Sequence, residues 1–288
     1  MDFNLSDEQN ALKDSLAKFI DRDYTFDHRW KIIKSAEGWS RSHWNQLAEI
    51  GLMALPVAEA DGGLGGQGVD TMLVMEELGR GLVVEPYLGC VVLPAALIKA
   101  AGTDAQRAAL SEGLASGETL YAFAHTEPGQ RYERNAVALT ATPSGTGYVL
   151  NGKKVSVLGG DAADQLLVSA TLAGDAGPSL FVVPATAAGV KRFGYPMQDA
   201  QRGADIEFAN VAIGADALLG ERGKAADAID YALDVACAAL CAEAVGAMAE
   251  LQKITVEYLK TRKQFGRVIG MNQALQHRAV DMLMHVEM

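Results

Sequence analysis

The sequence has little cysteine, no excess of positive charge and no export signal, and each absence excludes a class of function. Three cysteines occur among 288 residues, and their spacing fits neither a disulfide framework nor a zinc site. The formal net charge of −11 excludes a general attraction to nucleic acid or anionic lipid. Residues Met1-Asp2-Phe3-Asn4 lack the basic and apolar regions of a secretory signal, and no apolar run reaches the ~20 residues that span a bilayer. We expect a cytoplasmic protein that neither binds nucleic acid nor inserts into a membrane.

Two of the cysteines, Cys237 and Cys241, are four residues apart on a predicted helix. This spacing could suggest a site for a soft metal. Free cysteine, however, is commonly a small buried hydrophobic residue. We favour the buried interpretation and expect no metal site.

The first segment, residues 1–120, is predicted to be helical. Ser6 to Gln9 and Thr103 to Gln106 each have the sequence of a capping box, in which a hydroxyl and an amide satisfy opposite backbone N–H groups. Apolar residues repeat with helical spacing after the first box, and a second helix fits Ser42 to Ile50. The glycine-rich residues 61–66 form a loop, and Asp70 is predicted to cap the helix that follows.

The second segment, residues 121–222, has the alternating pattern of β-strands. Asn151-Gly152 lies between two strand-like runs and predicts the type I′ turn of a hairpin. Further short strands are predicted at Gln165–Leu172, Ser179–Pro184 and Ala204–Ile213. Together they indicate a small antiparallel β domain.

The third segment, residues 223–288, returns to helix. Ala228 to Val245 is apolar on nearly every face, which predicts a helix that is buried all round. A second helix begins near Asn272 and continues to Met288. Two helices cannot enclose a core, so this segment is expected to be an incomplete bundle. The predicted fold class is α+β and multidomain: an N-terminal helical domain (1–120), a middle antiparallel β domain (121–222) and a C-terminal helical bundle (223–288).

A series of short motifs resembles, in the same order, the motifs of the acyl-CoA dehydrogenase family. They are LSDEQ (5–9), GGLGG (62–66), EELGR (76–80), TEP (126–128), NGKK (151–154), RKQFG (262–266), IG (269–270) and QALQHR (273–278). Each motif is weak alone, but together they are collinear over essentially the whole chain. The resemblance implies the three-domain fold above, an FAD cofactor and α,β-desaturation of an acyl-CoA thioester. It also implies a homo- or hetero-oligomer, dimeric or tetrameric, that passes electrons to an acceptor flavoprotein.

The resemblance also implies which residues contact the flavin. Phe123, His125 and Thr126 would lie along the isoalloxazine ring, where Thr126 offers its hydroxyl and the 125–126 backbone offers amides. Ser156 stands at a position that faces the flavin. Arg262 and Gln264 would reach the FAD of a neighbouring subunit, since guanidinium is well suited to pyrophosphate. Weaker candidates for the adenine-diphosphate half are Asn272 and Gln273.

The chain departs from the family pattern at positions that carry chemistry. Tyr132 replaces a serine in the turn after TEP, and Ser156 and Leu158 replace an aromatic residue and a threonine. Ala236 stands where some members place the catalytic base on the first long C-terminal helix, and Cys237 replaces an arginine there. The acidic residues near Ala236 are Asp234 and Glu243, and both more readily fit structural roles. The catalytic base therefore stays unassigned.

These departures leave several functions open. The chain could be an FAD-dependent acyl-CoA dehydrogenase subunit, or the catalytically degenerate partner in a heteromeric enzyme of the type found in steroid-degrading bacteria. It could also be a scaffold with this fold that binds no flavin, or an acyl-CoA oxidase that passes electrons to oxygen.

Overall fold

The structure is a computed structural model that describes residues 4–288. Met1, Asp2 and Phe3, on which the expected absence of a signal partly rests, lie outside the described residues. Within residues 4–288 the α-helices are α1 Asp7–Asp23, α2 Phe26–Ile32, α3 Arg41–Glu49, α4 Gly68–Gly81, α5 Leu93–Ala101, α6 Asp104–Ser116, α7 Ala226–Thr261 and α8 Gln273–Glu287.

The strands lie mainly between α6 and α7. They are β1 Tyr121–Ala124, β2 Thr140–Ser144, β3 Gly147–Leu158, β4 Gln165–Ala170, β5 Ser179–Pro184, β6 Val190–Pro196, β7 Arg202–Ile213, β8 Leu218–Leu219, β9 Lys263–Gln264 and β10 Arg267–Val268. One sheet has the order β1-β4-β5-β8 and a second has the order β2-β3-β7-β6. Every pair in these two sheets is antiparallel except β1 with β4, which is parallel. The predicted α+β fold class is confirmed.

The chain forms two compact units. The first unit combines residues 4–26 with Met72–Val83 and Ala239–Met288. Within it, α4 and α7 approach closely at Gly79 and Gly246, where an added Cβ on either residue would meet the backbone of the facing helix. The residue type is therefore dictated by the distance between the two helix backbones.

The second unit combines Asp27–Thr71 with Val84–Ala238 and contains both large sheets. The two sheets enclose a buried cluster of aliphatic and aromatic side chains, centred on residues such as Leu150, Leu166, Phe181 and Ile206. Burial of this apolar area supplies the main driving force for folding the unit. The predicted domain boundaries at residues 120 and 222 stay a prediction.

The local signals at helix starts are confirmed. Both capping boxes are formed: Ser6 accepts from the Gln9 N–H and Thr103 accepts from the Gln106 N–H. The predicted helix at Ser42 to Ile50 is α3, which begins one residue earlier behind Ser40. Helix α4 begins at Gly68, and Asp70 Oδ2 accepts from the Gln67 N–H at 2.6 Å. Asp70 therefore caps from inside the first turn rather than from before it.

The predicted hairpin turn at Asn151-Gly152 is wrong. Strand β3 runs through both residues, and the turn between β2 and β3 lies at Gly145, which has a φ of 59°. Gly152 marks a bulge: its φ is 147°, and an added Cβ would meet Leu139. The sequence signal for positive φ is correct, but it serves a bulge instead of a turn.

The expectation that the first long C-terminal helix is buried on all faces is also wrong. The buried positions of α7 form one stripe that includes Ala228, Ile229, Ala232, Ala236, Ala239 and Ala242. Within the predicted range, Tyr231 and Leu240 are 43% and 47% exposed. Beyond it, Leu251, Ile254 and Tyr258 are 60%, 56% and 55% exposed. Cys237 and Cys241 are exposed as well, against the expectation that they are buried, because both fall outside the stripe.

Candidate functional site

A fully buried lysine packs beside the residues that follow strand β1. Lys154, on β3, is 0% exposed. Its Nζ donates to Glu127 Oε1 at 2.6 Å, to Ser169 Oγ at 2.9 Å and to the His125 carbonyl oxygen at 3.0 Å. These three acceptors satisfy all three ammonium protons, which is the condition for burying a lysine.

The acidic partner of Lys154 is bound on both of its oxygens. Glu127 Oε2 accepts from the Ala138 N–H at 2.7 Å, and Oε1 also accepts from the Leu139 N–H at 2.9 Å. The pair thereby joins β3, β4, the residues after β1 and the residues just before β2. A buried pair with all its hydrogen bonds made fixes the local backbone even where it adds little net stability.

The surroundings shift the protonation of all three titratable groups. Burial lowers the pKa of Lys154 to about 8, against the opposing effect of Glu127. Burial favours the neutral form of Glu127, but the hydrogen bonds from Lys154 and the two backbone amides outweigh it and lower its pKa. Burial, and then the charge of Lys154, lower the pKa of His125 to about 4. At neutral pH the cluster therefore holds a cation, a carboxylate and a neutral imidazole.

Phe123 and His125 support this strand end from inside. Their rings stack with centroids 4.9 Å apart and planes 7° apart, and both residues are buried. The His125 ring has Ser169 Oγ 2.9 Å from Nδ1, and Gln130 Nε2 3.5 Å from Nε2. Both ring nitrogens thus face protein groups, so a flavin contact from either side chain stays a prediction.

Thr126 and Ser156 are brought together at one exposed edge. The Thr126 carbonyl accepts from the Val155 N–H at 2.8 Å, which places Thr126 beside the residue before Ser156. Both side chains are exposed. Ser156 lies at an irregularity of β3 with a φ of 54°, and its N–H reaches Asp205 Oδ1 at 3.4 Å. Two hydroxyls therefore stand at the same strand edge.

The loop after Glu127 is tied to helix α7. Gln130 accepts from the Glu127 N–H at 2.9 Å and donates to the Glu133 carbonyl at 3.0 Å. Arg134 donates to Asp234 at 2.7 Å and lies 3.7 Å from Asp230. Tyr132 is 97% exposed and contributes no packing to the loop.

Ala236 lies in the buried stripe of α7, with 6% of its surface exposed. The carboxylates closest to it along the second unit's part of α7 are Asp230 and Asp234, and Arg134 engages both. We therefore assign no acidic residue of α7 within residues 226–238 as the catalytic base.

Two cavities in the second unit could receive a ligand, and they lie in different places. A cavity of about 470 Å³ lies between α6 and the sheets, and none of the predicted site residues line it. A smaller one, of about 120 Å³, is lined by the start of α4, by α5 and by Tyr231 and Val235 of α7. The smaller of these two cavities is the better candidate for a substrate site, because it adjoins the helix segment that carries Ala236 and the larger does not.

The remaining predicted site residues lie in the first unit, around the β9–β10 hairpin. Arg262, Gln264 and the hairpin residue Phe265 are exposed, Phe265 to 101%. Within residues 4–288, the Arg262 guanidinium has no hydrogen bond or ion pair. Asn272 precedes α8, accepts from Arg267 at 2.8 Å and donates to the Ile269 carbonyl at 3.0 Å. Gln273 is the exposed first residue of α8.

Comparison with known families accounts for this arrangement. Three family models match in order: the N-terminal domain of acyl-CoA dehydrogenase over residues 6–118, its middle domain over 122–211 and its C-terminal domain over 225–288. The chain belongs to the acyl-CoA dehydrogenase family. The family is that of FAD-dependent oxidoreductases acting on CH–CH bonds of acyl-CoA thioesters.

Individual relatives cover nearly the whole chain. The probable acyl-CoA dehydrogenase YngJ of Bacillus subtilis is 29% identical over 100% of this chain and 78% of its own length. The steroid ACAD Tcur3481–Tcur3483 is 31% identical with a TM-score of 0.84, over 97% of this chain and 74% of that one. The ChsE4–ChsE5 complex from Mycobacterium tuberculosis is 25% identical with a TM-score of 0.88, over 100% and 76%.

The residues present fit an FAD of this acyl-CoA dehydrogenase family at two places. Thr126 offers a hydroxyl and a backbone N–H at an exposed strand end, and neither has a partner within the described residues. Arg262 offers an exposed guanidinium of the kind that binds phosphate bidentately. When bound, FAD supplies the hydride acceptor for desaturation.

The roles of Glu127, Lys154 and Ser169 were not predicted from the sequence. Glu127 and Lys154 are part of the TEP and NGKK motifs, but the motifs served only to establish the resemblance. A usable signal was present: Lys154 lies four residues after the buried Leu150 on the same strand, and residues an even number apart point to the same face. The pairing partner could not be found from spacing, since Glu127 is 27 residues away.

Proposed function

We propose that this chain is an FAD-binding subunit of an acyl-CoA dehydrogenase and that it works with a second, unlike subunit that supplies the catalytic base. The observation that carries the proposal is Ala236 in the buried stripe of α7, with the neighbouring carboxylates Asp230 and Asp234 engaged by Arg134. Proton removal from the α carbon needs a carboxylate free to accept it.

The residues of this chain would bind and orient. Thr126 presents its N–H and hydroxyl to the polar edge of the flavin, and Ser156 stands beside it. Arg262 and Gln264 would bind the phosphate half of an FAD, with Asn272 and Gln273 toward the adenine. In this arrangement, the cavity between α4, α5 and Val235 of α7 would receive part of the acyl group.

An assembly with further subunits is supported by two observations. The exposed stripe of α7 in the first unit, with Leu240, Leu251, Ile254 and Tyr258, is apolar, as interfaces are. Two of the similar solved structures, ChsE4–ChsE5 and Tcur3481–Tcur3483, each pair two differently named proteins. An acceptor flavoprotein would reoxidise the assembled enzyme.

We also propose a cytoplasmic location. Helix α7 is long and apolar enough to cross a membrane by length and composition alone, and core helices of soluble proteins pass the same test. The match of residues 225–288 to the C-terminal domain of the family supports the interpretation of α7 as a helix of a soluble protein.

The test is bleaching of the bound flavin by an acyl-CoA. We expect no bleaching by this chain alone and rapid bleaching once the unlike subunit is co-expressed with it. Full turnover by the chain alone would contradict the proposal, because it would place the base within this chain.

The non-redox alternative is favoured by Ser156, which provides no stacking surface, and by Tyr132 in the following loop. Under that alternative Arg262→Ala would change neither flavin content nor the activity of the assembled enzyme. A fall in either would exclude it.

A further inference from the structure

The buried Lys154 has a geometric consequence for the peptide between His125 and Thr126. Its Nζ lies 3.0 Å from the His125 carbonyl oxygen, on the interior side of the strand. The described peptide bonds are trans, and in a trans peptide the C=O and the following N–H point in opposite directions. The Thr126 N–H therefore points away from Lys154, and Thr126 is an exposed residue.

The surrounding contacts hold this peptide from both ends. On one side, the Thr126 carbonyl accepts from the Val155 N–H at 2.8 Å. On the other, the His125 ring is enclosed by Phe123, Ser169 and Gln130. Rotation of the 125–126 peptide would break the hydrogen bond from Lys154 Nζ to the His125 carbonyl. The buried ammonium would then lack one of its three acceptors, which is costly.

We propose that Lys154 is a positioning residue for the flavin, acting through the His125 carbonyl to aim the Thr126 N–H at the flavin's polar edge. The inference rests on the proposed function, since it assigns the ligand of that same strand end. Lys154 itself touches no ligand: it is fully buried, and its three hydrogen bonds are made within the protein.

The charge of Lys154 adds to this effect. A cation on the carbonyl oxygen polarises the peptide, so that its N–H becomes a stronger donor toward an electron-rich acceptor. The groups that face Lys154 are Glu127 after β1, His125 at the end of β1 and Ser169 on β4. Because the pKa of Lys154 is lowered to about 8, this polarisation is expected to weaken as the pH rises through that value.

The test compares three variants in the chain purified together with its partner subunit. Removing Lys154 alone would leave Glu127 as an unpaired buried charge, so the main variant is the double substitution Glu127→Gln/Lys154→Met. Ser169→Ala is a milder variant that removes one acceptor of Lys154. Lys153→Met is the matched control, because Lys153 is the adjacent lysine but its partners, Asp205 and Glu207, are on the exposed side. Circular dichroism establishes that each variant is folded.

Two readouts separate positioning from a purely structural role. The first is FAD affinity and the midpoint potential of bound FAD: we expect the double variant to bind FAD about tenfold more weakly with a lower midpoint potential, and Lys153→Met to match the wild type. The second is the chemical shift of the Thr126 amide, measured by NMR without FAD. It should titrate near pH 8 in the wild type and not in the double variant.

The outcomes are distinguishable. A wild-type assembly that binds no FAD would overturn the proposed function and this assignment of the ligand. A wild type that binds FAD, together with a folded double variant of unchanged affinity and potential, would overturn the inference alone. A Thr126 amide that does not titrate in the wild type would overturn the part played by the charge.

Discussion

The two regions that carry the candidate FAD contacts are built in opposite ways. Thr126 stands on a strand end fixed by the buried Lys154, Glu127 and His125. Arg262 and Gln264 stand at the start of a hairpin of two-residue strands, where residues 262–267 are exposed and Phe265 is fully so. The first region is organised before any ligand arrives. The exposed side chains of the second lose rotamer freedom only on contact with a ligand or a partner, at an entropic cost that lowers affinity.

The largest effect of a substitution, a loss of stability, is expected in the buried region. Lys154→Met should lower the free energy of unfolding by about 3–5 kcal/mol, because it leaves the Glu127 carboxylate buried without its cation. Chemical denaturation measures this loss. The double variant Glu127→Gln/Lys154→Met should recover part of it, and Lys153→Met should lie within about 0.5 kcal/mol of the wild type. Equal losses for Lys153→Met and Lys154→Met would contradict the account.

The next effect is a pH dependence of stability from the same cluster. His125 has its pKa lowered to about 4 in the folded chain, against an ordinary value of about 6.5. Between these two pH values the unfolded chain binds more protons than the folded chain. The contribution of His125 to the free energy of unfolding is therefore fully present above pH 6.5, and it falls by about 3 kcal/mol as the pH drops to 4. Glu127, whose pKa is also lowered, adds a further loss at the acid end.

Denaturation of His125→Gln across that range tests the assignment. The variant should be less stable than the wild type at pH 7 and show a flatter profile between pH 6.5 and 4. An unchanged slope would show that other groups carry the acid sensitivity.

The exposed region should show a loss of ligand without a loss of fold. Arg262→Ala is expected to weaken FAD binding about tenfold, the value of one charge-assisted contact to phosphate, while the unfolding free energy changes by less than about 0.5 kcal/mol. Flavin titration and denaturation of the same samples measure both. Lys263→Ala, one residue along the hairpin, is the control. A large stability loss for Arg262→Ala would remove the contrast between the regions.

The smallest effect is expected at the loop tie. Arg134→Ala breaks an ion pair whose partners are both exposed, and such pairs contribute little. The thermal unfolding midpoint should not change measurably. Release of Asp234 should instead loosen residues 129–136, which amide hydrogen exchange detects. Unchanged exchange in this loop would show that the tie does not restrain it.

The sequence revealed the fold because its signals are local or repeated. Ser6, Thr103 and the glycine loop each specify their own backbone, and the order of the motifs specified the arrangement of segments. The Asn151-Gly152 signal misled because positive φ suits a bulge as well as a turn, and only the packing of Leu139 against Gly152 distinguishes them.

The site was less predictable. Thr126 and Ser156 were found by resemblance, and the structure brings them to one edge through the Val155 N–H. Lys154 was hidden because its role depends on Glu127 and Ser169, which lie 27 and 15 residues away along the chain. Whether a charged side chain can be buried depends on such partners, and the spacing of residues along the sequence does not identify them.

The measurement that tests the central claim most directly is the visible absorption spectrum of the purified chain, alone and after co-expression with a second acyl-CoA dehydrogenase chain. The account predicts flavin absorption in the co-expressed assembly, reduced by Arg262→Ala and by the double variant at Glu127 and Lys154. A colourless protein in both preparations, after incubation with FAD, would contradict it and leave only the scaffold function.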